Sequence, residues 1–188
     1  YLLGKKNIFF DNIIFFGLKK ENLLNFRDEG SASWRALKYQ CDILKIPFTK
    51  ISTVNSNHFL REIKKIKPDC MISLVVDTIY DEKIISKFKK GIYSSHGGIL
   101  PEFRGYDCNA WAVLNNKKHV GISLQKISKG VDTGKIVYCT KIKIKKSLNL
   151  DNLDKKLYYK FKLNCFVKLV ENLKKNRKIK FIKNSITG

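Results

Sequence analysis

Short apolar runs alternate with amphipathic segments along most of this chain, and no other feature restricts its fold as much. Residues 11–17, D-N-I-I-F-F-G, have the length and composition of a buried strand. Residues 18–30 are polar, end at Gly30 and read as a loop. Residues 31–44 place Trp34, Leu37, Cys41 and Leu44 on one side of a helix. Residues 46–51 suit a short strand, 57–66 a helix that Pro68 stops, and 70–76 a central strand that is almost wholly apolar. Residues 81–88 read as a short helix, 91–95 as the next strand and 108–114 as a helix. Strands are expected at 121–127 and 135–144. The second alternates Ile136, Tyr138, Thr140, Ile142 and Ile144, as a strand with one wet face does. Residues 150–172 form the longest helical stretch, with Leu153, Leu157, Phe161, Cys165 and Leu169 at every fourth position. The tail after Lys174 is basic and weakly patterned. Strands and helices taking turns predict an α/β fold around a mostly parallel sheet flanked by helices. With 188 residues, no internal repeat and no dividing linker, residues 1–188 read as a single domain.

Composition narrows the setting. Hydrophobic residues make up 44% of the chain, enough for a core, yet no apolar run approaches the roughly 18 residues of a membrane span. The five cysteines, at 41, 70, 108, 139 and 165, show no C-x-x-C spacing and no Cys/His cluster. They read as reduced, partly buried thiols of a cytoplasmic protein that holds no metal. The chain starts at Tyr1 with no signal-peptide pattern, so it is expected to begin inside a longer one, truncated at the N-terminus. The formal charge of +22 comes almost entirely from Lys, with Arg only at 27, 35, 61, 104 and 177. Two readings stay open: a coding bias toward Lys, Ile and Asn, or attraction to an anionic partner such as a phosphorylated small molecule, a nucleotide sugar or tRNA.

Two segments carry chemistry. Residues 94–105 read S-S-H-G-G-I-L-P-E-F-R-G and follow a strand, which puts His96 at a carboxyl end of the sheet, where α/β folds bind ligands. Residues 130–134, G-V-D-T-G, lie between two strands and set one carboxylate, Asp132, between glycines. Taken singly, each is ordinary: a lone His is more often structural, and G-V-D-T-G is a tight turn. Their order, spacing and flanking strands together raise the functional reading.

That combination resembles the formyltransferases that use 10-formyltetrahydrofolate, among them methionyl-tRNA formyltransferase, glycinamide ribonucleotide transformylase and the sugar N-formyltransferases. The family pattern runs N-x-H, three residues, L-P-x-[YF]-R-G, then W-A-[IV]-L-N, then G-[IV]-D-T-G. This chain has S-S-H-G-G-I-L-P-E-F-R-G, N-A-W-A-V-L-N and G-V-D-T-G, within a resemblance running clearly from Ile66 to Ile144. It implies a Rossmann-like formyltransferase fold and a formyl transfer from 10-formyltetrahydrofolate, as co-substrate, to an amine. It implies that His96 and Asp132 are catalytic and approach each other. The family's Asn falls on Ser94, a departure; Ser94 is then expected to face the same side as His96, with Ser95 turned away.

The resemblance further implies a folate site at Leu74, Val75, Val76 and Tyr80 and at Ser128, Gly130 and Val131. Gly97, Gly98 and Arg104 would lie toward the substrate, Arg104 being equally open to a loop salt bridge. Several members have a cis Leu-Pro bond in this motif, and both isomers stay open for Leu100–Pro101. A nucleotide amino sugar is the favoured acceptor, with tRNA or glycinamide ribonucleotide as the alternatives, no membrane partner and a homodimer left open. The methionyl-tRNA enzyme carries a further C-terminal barrel, for which these residues leave no room. A reading of another class remains: with Ser at 94, a catalytically weak folate- or nucleotide-binding module.

Overall fold

The structure, a computed structural model, describes residues 13–16, 38–74, 78–144 and 161–184. The loop expected at 18–30, the first half of the helix expected at 31–44 and the helical stretch expected at 150–160 lie outside these residues. Sequence patterning treats the chain as one domain; the coordinates group it into two compact units, Tyr1–Pro68 and Asp69–Gly188.

In the first unit, strand β1 (Ile13–Phe16) pairs in parallel with β2 (Phe48–Ile51), Ile13 opposite Phe48 and Phe16 opposite Ile51. Residues 38–43 are helical. Cys41 is buried as its spacing predicts, but Leu44 is exposed, because the helix ends before it and the chain turns through Lys45 at φ 56°. Helix α1 (Asn57–Ile66) has the bounds read from sequence. The Ser56 hydroxyl caps it by accepting from the Phe59 N–H at 3.1 Å, a contact worth about 1 kcal/mol. Lys67 in the left-handed region ends it one residue before Pro68. Phe59 and Ile63, four apart, are its buried positions.

The second unit contains β3 (Cys70–Ser73), α2 (Glu82–Ile85), β4 (Gly91–His96), α3 (Cys108–Leu114), β5 (His119–Lys126), β6 (Lys135–Lys143) and α4 (Leu163–Lys174). The sheet order is β3-β4-β5-β6. β3 and β4 are parallel, and the β4–β5 and β5–β6 pairs are antiparallel. The sheet is therefore mixed, with its one parallel pair at β3–β4. Residues 127–134 are too few for the crossover of about a dozen residues that a parallel β5–β6 pair would need. β4 and β5, rather than β3, hold the middle of this sheet. Its two faces differ in kind. On one, Tyr93, Leu124 and Val137 pack with Cys165, Phe166 and Leu169 of α4, each such burial worth about 2 kcal/mol. On the other, the register aligns Ser94 with Ser73 and Gln125, and His96 with Ser123, all five buried. Among the described residues no helix is long and apolar enough to cross a membrane, and all five cysteines are free.

Candidate active site

His96 is the last residue of β4, and its partner comes from the turn between β5 and β6. The imidazole Nδ1 lies 3.2 Å from Oδ2 of Asp132, an approach that the family resemblance implies. Asp132 has φ 48°, a left-handed conformation that Asp tolerates better than most residues. Its Oδ2 also accepts from the Gly105 N–H at 2.9 Å, and Oδ1 accepts from Nε2 of Gln125 at 2.6 Å. The other ring nitrogen of His96, Nε2, lies 2.9 Å from the carbonyl oxygen of Phe103. A ring between a carboxylate and a carbonyl is satisfied when both nitrogens donate, that is, as imidazolium.

Electrostatics agree with that assignment. Burial by itself would pull the pKa of His96 down, but the hydrogen bonds from Asp132 and Cys108 and the Asp132 charge outweigh it and push the pKa up to about 9. Burial opposes ionisation of Asp132 too, and here the His96, Gly105 and Gln125 hydrogen bonds prevail and hold its carboxyl below the usual range. The pair is thus charged near neutral pH, with the ring 5% and the carboxylate 19% exposed, so the charge sits largely out of water.

Glycines make room for this arrangement. A Cβ on Gly98 would stand 2.5 Å from Cβ of Cys108 and 2.8 Å from Nε2 of His96. A Cβ on Gly134 would stand 1.9 Å from the carbonyl oxygen of Lys126, so the turn carrying Asp132 closes on β5 only with glycine there. The Leu100–Pro101 peptide between them is cis.

The remaining sequence candidates fall as follows. Ser94 is buried on the His96 side of the strand, and its hydroxyl donates to the Ser95 carbonyl at a long 3.4 Å. A side chain at Gly97 would meet nothing within 4 Å. Leu74 and Val131 are about half exposed, and Tyr80 is buried with its hydroxyl 2.9 Å from that of Ser73. Val75 and Val76 lie outside the described residues. Ser128 pairs with the Thr133 hydroxyl at 2.9 Å, and Gly130 sits at φ 108° beside it. Arg104 makes no salt bridge among the described residues; its Nη2 donates to the backbone oxygen of Asn184 at 3.1 Å and to the side-chain oxygen at 3.4 Å.

Four residues at the site escaped sequence reading. Gln125 braces Asp132, and its polar side chain in the buried run I-S-L-Q was a usable signal. Cys108 touches His96 from inside the matched segment. Lys162 is buried, donates to the Leu74 carbonyl oxygen, and has its pKa brought down to about 8 by that burial. Asn184 reaches the Asp132 turn from the tail. Among the described residues no group of His, Cys, Asp and Glu is arranged to hold a metal ion.

A mixed α/β fold thus sets a buried His–Asp pair at the carboxyl end of a central strand. The chain belongs to the Formyl transferase family, whose profile matches residues 28–169. It is 30% identical over 144 residues to the methionyl-tRNA formyltransferase of Prochlorococcus marinus (strain AS9601), covering 75% of this chain and 44% of that protein. The chain thus spans less than half the length of that curated relative. Among solved structures, the formyltransferase PseJ of Anoxybacillus kamchatkensis, in complex with UDP-4,6-dideoxy-4-formamido-L-AltNAc and tetrahydrofolate, shares the fold. Its TM-score is 0.64 at 20% identity, over 94% of this chain and 83% of that one. Phosphoribosylglycinamide formyltransferase from Anaplasma phagocytophilum gives 0.65 at 19% identity, over 79% and 74% of the two chains.

Proposed function

We propose that this protein transfers a formyl group from 10-formyltetrahydrofolate to an amine, with an amino sugar on a nucleotide as the acceptor. The observation that carries the reading is the charged His96–Asp132 pair at the end of β4, 3.2 Å apart, within the matched family segment. The neutral amine attacks the formyl carbon, and the carbonyl oxygen becomes an oxyanion. The His96 imidazolium, and the Ser94 hydroxyl standing where the family has Asn, donate to that oxyanion. One such donor is worth about 3 kcal/mol in the transition state. The Nε2 hydrogen bond passes from the Phe103 carbonyl to the oxyanion, a stronger acceptor, and the proton stays on the ring. Asp132 fixes the ring through Nδ1 and helps carry the proton lost by the amine to N10 of the folate as the C–N10 bond breaks. The products are a formamide and tetrahydrofolate.

The folate would lie against the loops 74–80 and 128–132. Leu74, Ile79 and Val131 are half exposed although apolar, which suits a flat heterocycle. Tyr106, 74% exposed, follows the Gly105 amide that holds Asp132 and would offer a stacking face to the acceptor's base or sugar ring. The fold shared with PseJ over most of both chains favours the sugar acceptor. The 30% identity to a methionyl-tRNA formyltransferase, together with the +22 charge, supports tRNA as the second reading. The deciding experiment offers 10-formyltetrahydrofolate with nucleotide 4-amino sugars, charged initiator tRNA and glycinamide ribonucleotide, with His96→Ala as blank. Transfer to the sugar above the blank is expected. Transfer to tRNA alone replaces the acceptor, and no transfer to any amine leaves a binding module.

A further inference from the structure

The position of the Asp132 carboxylate depends on the backbone that carries it, a five-residue turn with Asp132 itself in the left-handed region. Side-chain contacts inside the turn account for part of its rigidity: Thr133 Oγ1 donates to the Lys129 carbonyl at 3.0 Å, and Gln125 Oε1 accepts from the Gly134 N–H at 3.2 Å. Neither touches the Asp132 peptide. That peptide is held from the tail of the chain. The Asn184 amide donates to the carbonyl oxygens of both Asp132 and Gly134, each at 2.7 Å. One NH₂ group thus grips the two carbonyls flanking Thr133.

Asn184 is itself fixed on both sides. Two residues upstream, Ile182 bridges Ile136 of β6, its N–H donating at 2.8 Å and its carbonyl accepting at 3.2 Å. From the other side Arg104 donates to both oxygens of Asn184. Arg104 precedes Gly105, whose N–H is on the Asp132 carboxylate. The contacts close a ring, from the Asp132 carboxylate to Gly105, Arg104, Asn184 and back to the Asp132 carbonyl. It joins residues 27, 80 and 52 apart in sequence. The position calls for an amide: Asp would set a charged oxygen against two carbonyls, and Leu would leave both carbonyls without these donors.

We propose that Asn184 is a positioning residue for the His96–Asp132 pair, acting through the Asp132 backbone, with Arg104 as its anchor. The kinetic half of the test rests on the formyl-transfer reading; the other half does not. In Asn184→Leu, Asp132 gains freedom to leave His96. The ring's titration, followed by NMR, is expected to fall by roughly one unit from its value near 9. The formyl-transfer kcat is expected to fall roughly tenfold or more, with the melting temperature within about 3 °C of wild type. Asn184→Gln keeps both donors on a longer arm and is expected to recover part of each loss. Should Asn184→Leu not fold, Asn184→Ser, whose hydroxyl cannot reach both carbonyls, carries the same expectation. A His96 titration unchanged in the folded variant overturns the proposal, whatever the activity. If wild-type protein transfers formyl to no amine, the function reading fails while the titration still decides the role of Asn184.

Discussion

Tyr93 and Ser94 are neighbours on β4 and belong to different machines. Tyr93 joins Leu124, Phe166 and Leu169 in an apolar layer, and its hydroxyl donates to the Lys90 carbonyl at 2.9 Å. Ser94, His96, Ser123, Gln125 and Ser73 form a layer as deeply buried, but polar throughout. On that side the hydroxyl of Ser123 accepts from the Leu100 N–H at 2.9 Å and donates to the Gly98 carbonyl at 2.8 Å, fixing the loop that follows His96. Strand alternation thus turns Tyr93 into the apolar layer and Ser94 and His96 into the polar one. The difference teaches where substitutions should act: on one face they should change stability, and on the other, rate.

The largest expected effect is on the polar face. His96→Ala should lose formyl transfer by roughly a thousandfold or more, since the charged oxyanion donor goes and the Asp132 carboxylate loses its partner. Leu124→Ala, on the apolar face and fully buried, should cost about 2–5 kcal/mol of stability and leave kcat of the folded fraction nearly intact. Assays and melting curves on the two variants check both halves. A loss of kcat in folded Leu124→Ala comparable to that in His96→Ala would break the division between the faces.

Next comes Ser94. Ser94→Ala should slow transfer by roughly a hundredfold with little change in melting temperature, and Ser94→Asn should keep or raise the rate. The 3.4 Å contact of its hydroxyl to the Ser95 carbonyl is too long to contribute much to folding. An unimpaired Ser94→Ala would leave the oxyanion to His96.

A smaller effect concerns pH and stability. His96 has a raised pKa when folded, so its contribution to stability is complete below the unfolded value of about 6.5 and is lost as pH rises through about 9. Asp132 has a lowered pKa, so its contribution is present above the ordinary carboxylate range and is lost as pH falls through the lowered value. Denaturant titrations of wild type against His96→Gln should therefore converge between pH 6.5 and 9, by an amount on the order of 2 kcal/mol. Curves that stay parallel there would mean that the ring is neutral in the folded protein.

How much of this was legible in the sequence follows from which contacts are local. Helices α1 and α3 have the bounds read from sequence, α1 with Pro68 as its stop. His96 and Asp132 were legible because each sits in a motif with its own glycines. The antiparallel course of β5 and β6 was missed: strand-helix alternation says where strands are, while pairing direction depends on the 127–134 connection. Asn184 left no trace, since its partners at 104, 132 and 134 are brought to it only by the fold, and its surroundings in the basic tail carry no periodic signal.

The account turns on His96 standing as an imidazolium braced by Asp132 and serving as the charged donor to the oxyanion of formyl transfer. The direct test follows the ring by ¹⁵N NMR and the rate of formyl transfer, on the same protein, across the same pH range. The prediction is that both nitrogens are protonated at neutral pH, that the ring titrates near 9, and that the rate falls on the alkaline side with that same pKa. A ring that is neutral at neutral pH, or a rate indifferent to the ring's titration, would contradict it.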